Sequence, residues 1–347
     1  MSDDAMRSRE HGVEIETFPW FGQQFSPAFA RSISNHCVQA DLVHSHGLWR
    51  HVNWATARAA WRLGKPYVIT PLGLLAPAAL AHARLRKMIS AVLFEKRLLR
   101  NAVLIHACSE KEYESVRAYG VSKPIAVIPN GIGPLMIENG APVFNLVERH
   151  PELRGKRILL FLSRISWEKG VFEIVEAWSK LYEQFPAWHL VIVGAGNAAY
   201  EHKVRTLIAT LNLSERVTWT GPLYGAAKDT MLSHASLFVL PTHCESFGMV
   251  ILEALAAGVP VITTREAPWE LLLSEKCGWW IPRGQSHLIE AMQDAMRYPA
   301  ASLREMGLRG RALARNKFSW EQAARQMESV YKWLLAGGEM PDCVRLL

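Results

Sequence analysis

The sequence predicts an α/β protein with two Rossmann-like domains, each built on a parallel sheet. Three observations support this fold class. The chain has 347 residues, enough for two domains that each bury a core. Short apolar runs alternate with helical patterns, as in sheets covered on both faces. Residues 133–156 have several Gly and Pro and few periodic apolar positions, as expected of a linker. We therefore expect domains over 1–132 and 157–317, and a closing helix over 318–336 with Trp320 and Val330 on its apolar side.

Composition indicates a globular protein of a reducing compartment. Half of the residues are hydrophobic and a fifth are charged. No apolar run approaches the roughly 18 to 20 residues that a spanning helix needs, and the first residues lack an apolar signal core. The five cysteines have no C-x-x-C spacing, which favours free thiols over disulfides or a zinc site. The sequence thus predicts a cytoplasmic protein.

The net charge of +7 and pI near 9.2 predict attraction to anions. A helical pattern over 78–100 carries an apolar stripe and many basic residues. Such a helix can rest on anionic lipid or meet a lipid-phosphate acceptor, and the alternative is a solvated face. The helix therefore leaves two interpretations, peripheral contact with the inner face of the cytoplasmic membrane and an exposed solvated face. Basic and aromatic residues do not interleave as on a nucleic-acid platform, so no nucleic-acid partner is predicted.

The first half contains short apolar runs that predict strands. Two helices are predicted between these strands, one over 78–100 and one that begins at Ser109. Ser109 and Glu112 have the spacing of a capping box. The predicted strands cover residues 13–18, 41–46, 65–70, 103–108 and 125–128.

Three histidines stand close together near the end of the second of these strands. His44 and His46 lie on one face of the strand by its period of two, and His51 follows. No carboxylate or cysteine accompanies them at ligand spacing, so we predict no metal site. From the residues alone, His46 is interpreted as a hydrogen-bonded histidine that shapes a loop.

Strand and helix alternate through the second half. Ligands bind at the carboxyl ends of strands in such sheets, so the loops that follow the strands are the candidate site. The predicted strands cover 158–162, 189–193, 217–220, 237–240 and 259–263, with helices over 170–181 and 249–257 among those between them.

Residues 244–258, C-E-S-F-G-M-V-I-L-E-A-L-A-A-G, predict the chemistry of the site. They read as a loop carrying Glu245 and a helix carrying Glu253, with amides of residues 246–249 at the helix start. A helix N-terminus favours phosphate, and Gly248 permits close approach of a ligand. Carboxylates accept hydrogen bonds from sugar hydroxyls, so a nucleotide sugar fits both features. The alternative is two ordinary surface glutamates.

A second loop, residues 163–170, offers two cations. Arg164 can hold two phosphate oxygens, and Lys169 supplies a mobile charge before a helix. The chain has only six aspartates and no Asp-x-Asp pair that would carry a divalent metal. Fixed cations and a helix end can stabilise a departing diphosphate without metal. By itself this loop could equally be an exposed basic segment.

These segments together resemble glycosyltransferase family 4, the retaining enzymes of the GT-B fold. The resemblance rests on E-x7-E at 245–253, on an Arg followed by Lys-Gly at 164–170, and on I-P-N-G at 128–131. It implies two Rossmann-like domains whose sheets face a central cleft, and a retaining, metal-independent hexosyl transfer without cofactor. The co-substrate would be a nucleoside-diphosphate sugar, and the acceptor a glycan or lipid-linked molecule in cell-surface polysaccharide biosynthesis.

The resemblance also implies roles for individual residues. The expected catalytic residues are Glu245 beside the donor sugar, His46 facing the cleft, and the cations Arg164 and Lys169. Glu253 would bind the ribose hydroxyls, and the backbone at Leu223 would contact the base. The other expected donor-binding residues are Phe247, Gly248, Met249, Val250 and Gly194.

The sequence departs from the family pattern in three places. The family has a strand, a glycine-rich loop and a helix before the segment that corresponds to residue 13, and this chain has none of them. Gly133 stands where the family usually has an acidic residue, and 265–270 lacks its glycine-rich turn. The alternative hypothesis is therefore a truncated nucleotide-sugar-binding protein without turnover.

Overall fold

The structure is a computed structural model that describes residues 6–10, 12–21, 25–81, 87, 90, 94–133 and 145–347. It divides into two compact units. The first contains Met1–Pro129 with Ala323–Leu347, and the second contains Asn130–Gln322. No helix in the described ranges is long and apolar enough to cross a bilayer.

The strands are short, as in most α/β proteins. They are β1 (Met6–Glu10), β2 (Val13–Thr17), β3 (Val43–His46), β4 (Tyr67–Thr70), β5 (Leu104–Ala107), β6 (Ile125–Val127), β7 (Arg157–Leu162), β8 (Trp188–Val193), β9 (Val217–Gly221), β10 (Ala235–Leu240), β11 (Val261–Thr264), β12 (Gly278–Ile281) and β13 (Val344–Arg345).

Helices connect most of these strands. They are α1 (Pro27–Gln39), α2 (His51–Arg62), α3 (Pro77–Ala81), α4 (Lys96–Asn101), α5 (Glu110–Ala118), α6 (Leu146–Arg149), α7 (Val171–Leu181), α8 (Ala198–Thr210), α9 (Gly225–His234), α10 (Met249–Ala256), α11 (Leu271–Ser274), α12 (Gln285–Arg297), α13 (Ala300–Lys317) and α14 (Trp320–Ala336).

The first unit is organised around a five-stranded sheet in the order β13-β6-β5-β4-β3. Strands β3 to β6 are parallel, and β13 is antiparallel to β6. Every residue of β4 and β5 is buried, as expected for a parallel sheet covered on both faces. The strand predicted over 13–18 forms, but it pairs with β1 in a separate antiparallel hairpin.

Most of the last helix belongs to the first unit. Val330 of α14 is fully buried against Val68, Leu104 and Ala126 of the sheet. Trp320, predicted on the same apolar side, is instead 53% exposed. It belongs to the first turn of α14, which lies in the second unit beside the bridge between Ile132 and Ser319.

The second unit contains a six-stranded, fully parallel sheet in the order β12-β11-β10-β7-β8-β9. All six residues of β8 are buried. The chain runs from β7 outward to β9, then returns to β10 on the other side of β7. This reversal is the topological switch point where open α/β sheets bind ligands. The loops after β7 and β10 therefore lie side by side at the carboxyl edge.

Two segments need comparison with what the sequence predicted for them. Residues 133–156, interpreted as a linker, include α6 and a short 3-10 helix, Pro151–Leu153, and their Leu146 and Leu153 are buried. Residues 134–144 lie outside the described residues. So does the whole apolar stripe predicted over 78–100, namely Leu85, Met88, Ile89, Val92 and Leu93.

The predicted capping box at α5 forms only in part. The Ser109 hydroxyl accepts a hydrogen bond from the Glu112 amide at 3.1 Å, as expected. The Glu112 carboxylate accepts instead from the amides of Cys108 at 2.7 Å and of Gly73 at 2.5 Å. Glu112 therefore ties the loop after β4 to the start of α5.

Candidate active site

The loops after β7 and β10 are bonded to each other. The amide of His243 and the hydroxyl of Thr242 donate to the carbonyl of Glu168 at 2.7 and 2.8 Å. Gly170 has φ +74° and packs on Pro241, where an added Cβ would lie 2.1 Å from the carbonyl oxygen. Only glycine fits this contact, so the sequence Lys169-Gly170 fixes the position of Lys169.

The two charged residues predicted from separate motifs meet here. Lys169 Nζ lies 2.5 Å from Glu245 Oε2, and each side chain is only 13% exposed. Both motifs were predicted from sequence, but the ion pair between them was not. A pair this deeply placed holds both side chains in a single arrangement.

The start of α10 presents backbone amides without acceptors. Gly248 is its N-cap with φ +87°, and no side chain caps the helix. The amides of Phe247, Gly248, Met249 and Val250 have no hydrogen-bond acceptor among the described residues. Such orphan donors at a helix N-terminus suit an anion.

Gly248 is required by its own neighbours. Its φ is positive, and an added Cβ would lie 2.9 Å from Ile251 Cδ1 and 3.2 Å from Trp269 Nε1. Trp269 is buried, and its indole donates to the carbonyl of Phe247 at 2.5 Å. This hydrogen bond fixes the turn that carries the open amides. This hydrogen bond was not predicted, because Trp269 lies in a segment that departs from the family pattern.

Glu253 has a partner that the sequence did not reveal. Lys228 of α9 donates to Glu253 Oε1 at 2.8 Å, with side chains 26% and 22% exposed. Helices α9 and α10 are more than a dozen residues apart in sequence, and no motif marks Lys228. Only the packing of the two helices brings the ammonium to this carboxylate.

Gly194 and Leu223 also lie at the carboxyl edge. Gly194 follows β8 with φ +142°, and an added Cβ would lie 1.9 Å from the carbonyl of Ser163. Its amide donates to the carbonyl of Gly221 at 2.9 Å. Leu223 is half-buried in the loop between β9 and α9. Gly194 thus packs the loop after β8 against the loop after β7.

Arg164 is positioned differently from Lys169. Its side chain is 75% exposed, and its Nη2 lies 3.9 Å from Glu168 Oε2 in the same loop. No hydrogen bond or ion pair joins it to α10 among the described residues. Arg164 therefore does not contact the start of α10 in this structure.

His46 lies in the first unit, at the end of β3. Its ring stacks on His44 with centroids 4.3 Å apart, which confirms that both occupy one face of the strand. His46 is exposed at the strand end, and partial desolvation of its ring lowers its pKa, which favours the neutral imidazole.

His44 is part of a directed hydrogen-bond chain. His106 Nε2 donates to the carbonyl of Ile128 at 2.8 Å, so its Nδ1 accepts from the Thr70 hydroxyl at 2.9 Å. Thr70 in turn accepts from His44 Nε2 at 2.7 Å, and His44 Nδ1 accepts from Tyr331 at 2.5 Å. Burial and the neighbouring histidines lower the pKa of His44 to about 3, which keeps this chain uncharged.

The described residues contain no cluster of three or more His, Cys, Asp or Glu side chains placed to hold a metal ion. The three histidines grouped in the sequence do not converge, because His44 bonds to Thr70 and Tyr331 while His51 contacts Phe25.

Comparisons with known proteins match this architecture in both halves of the chain. The family model of glycosyl transferases group 1 matches residues 144–312, and that of the glycosyl transferase 4-like domain matches residues 2–131. A D-inositol 3-phosphate glycosyltransferase of Segniliparus rotundus is 25% identical over 90% of this chain and 72% of its own length. A glycogen synthase of Mycobacterium tuberculosis is 28% identical over 87% of this chain and 71% of its own.

Solved structures show the same fold. Sucrose-phosphate synthase from Thermosynechococcus elongatus superposes with a TM-score of 0.71 at 24% identity, covering 90% of this chain and 78% of its own. Anabaena HepE in complex with UDP-glucose superposes with 0.72 at 19% identity, covering 88% and 82%. The two family models and these structures place the chain among the GT-B glycosyltransferases. The predicted fold class, α/β with two parallel-sheet Rossmann-like domains, is thereby confirmed.

Proposed function

We propose that this protein transfers a hexose from a nucleoside-diphosphate sugar, with retention at the anomeric carbon, to a glycan or lipid-linked acceptor. The observation that carries the proposal is the ion pair of Lys169 with Glu245 beside four open amides at the start of α10. A cation, a carboxylate and a helix end meet at the topological switch point, the region where open α/β sheets generally bind ligands.

The donor is proposed to bind with its diphosphate at the start of α10. The open amides and the ammonium of Lys169 would hold the phosphate oxygens, and Arg164 would join them after a rotamer change. Glu253, oriented by Lys228, would accept hydrogen bonds from the ribose hydroxyls. The backbone at Leu223 would contact the base, and Gly194 would form the bottom of the donor pocket. HepE, which shares the fold, is seen with UDP-glucose, and this supports a nucleotide-sugar donor here.

Donor binding would rearrange one contact. Lys169 is bonded to Glu245, so a diphosphate that binds beside it competes with this carboxylate for the ammonium. Glu245 would then be released toward the donor sugar, where its carboxylate can accept from hydroxyls and stabilise positive charge at the anomeric carbon.

We propose front-face attack for the chemical step. The acceptor oxygen forms a bond to the anomeric carbon as the bond from that carbon to the phosphate oxygen breaks, and the acceptor proton passes to the departing phosphate. The amides and Lys169 stabilise the charge that develops there. In this proposal fixed protein groups perform the task that a divalent ion performs in metal-dependent transferases.

The first unit is proposed to bind the acceptor. The neutral ring of His46 can accept or donate one hydrogen bond there, and its stacking on His44 holds the ring in place. The basic residues of α4 are proposed to contact anionic lipid at the inner face of the cytoplasmic membrane, in cell-surface polysaccharide biosynthesis.

The test is turnover of a panel of nucleoside-diphosphate hexoses in buffer containing EDTA, with lipid extracts and oligosaccharides as acceptors. We expect release of nucleoside diphosphate from one donor, undiminished by EDTA, and a product whose anomeric configuration by NMR equals that of the donor. Activity that needs added magnesium, or an inverted product, would contradict the mechanism. Donor binding without any turnover would instead support the nucleotide-sugar-binding alternative.

A further inference from the structure

A cavity of about 350 Å³ opens at the opposite, amino edge of the sheet in the second unit. Arg157 is the first residue of β7 and Ser236 the second residue of β10, whose carboxyl ends lead to Lys169 and Glu245. A six-residue strand spans about 20 Å, so this cavity is separate from the candidate active site. The side chains that matter here are Arg157, Arg304, Arg311, Ser233, Ser236 and Leu308.

The three arginines of this cavity, named the arginine cavity below, have no carboxylate partner among the described residues. No carboxylate lines the cavity either. Arg157 stacks on Trp188 with its guanidinium carbon 4.1 Å from the ring centroid, and one Nη donates to the carbonyl of Tyr298 at 3.1 Å. Its Nε is buried without a hydrogen-bond partner. A buried N–H of a charged group left without an acceptor is costly, so the surroundings of Arg157 leave its positive charge unbalanced.

Arg311 is held rigidly at the same cavity. Its Nε and Nη2 donate to the carbonyls of Ala256 and Ala257 at 3.1 and 2.7 Å, which caps the end of α10. The guanidinium lies against Gly258, where an added Cβ would be 3.1 Å from Nη2. The remaining Nη1 stays available as a donor.

Arg304 and Ser236 complete the set of available donors. Arg304 precedes Arg311 by seven residues on α13, which places both on one face of that helix. The described residues offer no acceptor to the exposed Arg304 or to the Ser236 hydroxyl. Leu308, between the two arginines, is 53% exposed and supplies an apolar wall.

We propose that the arginine cavity binds a phosphate monoester. Guanidinium groups match the geometry of phosphate oxygens. A dianionic ligand also neutralises part of the positive charge of the three arginines, which a neutral ligand would not do. The volume exceeds that of a bare phosphate and suits one carried on a small organic body, with Leu308 against that body. This site does not depend on the donor chemistry proposed above.

The test is calorimetric titration of the full chain with inorganic phosphate and with glucose 6-phosphate, at ionic strength matched with chloride. We expect saturable binding of one equivalent, unchanged in Lys169→Ala. In Arg304→Gln we expect binding at least about tenfold weaker, the effect of losing one charged hydrogen-bonding group. Arg309→Gln is the matched control on the same helix, because Arg309 donates to the carbonyl of Lys276 outside the cavity.

Three results would overturn the proposal. The first is that no probe binds saturably. The second is that Arg304→Gln and Arg309→Gln weaken the affinity for the probe equally. The third is that binding is lost only in Lys169→Ala. Sedimentation with phosphatidate vesicles distinguishes the source of the group. If the chain sediments with these vesicles in an Arg304-dependent way but binds neither soluble probe, the monoester is a lipid headgroup.

Discussion

Two lysines in the second unit each hold one glutamate of the E-x7-E motif. Lys169 bonds to Glu245 and Lys228 to Glu253, at 2.5 and 2.8 Å. The first pair is more buried, so it resists screening by solvent and salt more than the second does. The two pairs therefore have different proposed functions. Lys169 faces the diphosphate, and Lys228 orients the Glu253 carboxylate.

Lys228→Met tests the second pair. Without the ammonium, the Glu253 carboxylate loses the partner that orients it toward the ribose, and we expect KM for the donor to rise about tenfold. The value of kcat should change less, because the ribose is remote from the reacting bond. Steady-state kinetics check this, and Lys228→Arg should restore most of the affinity. A Lys228→Met variant with unchanged donor KM would assign the pair to stability alone.

Residue chemistry was the part of the site best predicted from sequence. The charges at Glu245, Glu253 and Lys169 were predicted because each residue stands in a local pattern that carries chemical meaning. Lys228 and Trp269 were missed, because each acts through a contact made by packing of distant segments. No local pattern records such a contact.

Among the elements, the packing of α14 on the first sheet depends on uncharged histidines. A series of hydrogen bonds joins this helix to β3, β4 and β5. It runs from Tyr331 through His44, Thr70 and His106 to the carbonyl of Ile128. Burial lowers the pKa of both histidines, so protonation is suppressed in the folded state. The unfolded chain has no such burial.

This difference makes stability depend on pH. The His44 pKa falls from 6.5 in the unfolded chain to about 3 in the folded one, so His44 adds full stability above pH 6.5. That contribution is lost as pH falls toward 3, because the unfolded state binds the proton first. At pH 5 the loss from His44 is about 2 kcal/mol.

Urea unfolding at pH 7.5 and pH 5 checks this prediction. In His44→Gln, which cannot titrate, the drop in unfolding free energy between the two pH values should be smaller than in the wild type by that amount. His202→Gln, at an exposed position on α8, is the control and should behave like the wild type. An unchanged drop in His44→Gln would show that the histidine chain does not carry the acid sensitivity.

Element positions were mostly predictable where apolar runs are fully buried. The runs at β4, β5, β8 and β10 are recognisable because a parallel strand buries both faces and so lacks alternation. Strand β2 was predicted, but its antiparallel pairing with β1 was not, because the β1 sequence MRSRE has no apolar pattern that marks a strand. The exposed Trp320 was misassigned because helical periodicity alone does not show which unit a turn joins.

At the scale of the whole molecule, the order of strands positions the proposed site. The chain returns from β9 to β10 across β7, and this brings the loops of Lys169 and Glu245 together although they are 76 residues apart. The sequence predicts the alternation of strands and helices but not this order, because order is set by packing of the whole sheet.

The central claim is that a diphosphate is held at the start of α10 by Lys169. Turnover of the accepted nucleotide sugar by Lys169→Met tests it most directly, with Lys317→Met as the matched control, since Lys317 pairs with Glu275 at an exposed place in the same unit. Circular dichroism should show both variants folded. We predict that kcat/KM falls at least about a hundredfold in Lys169→Met, as expected for a lost electrostatic contact to the leaving group, and stays near wild type in Lys317→Met. A folded Lys169→Met variant with near wild-type turnover would contradict the account.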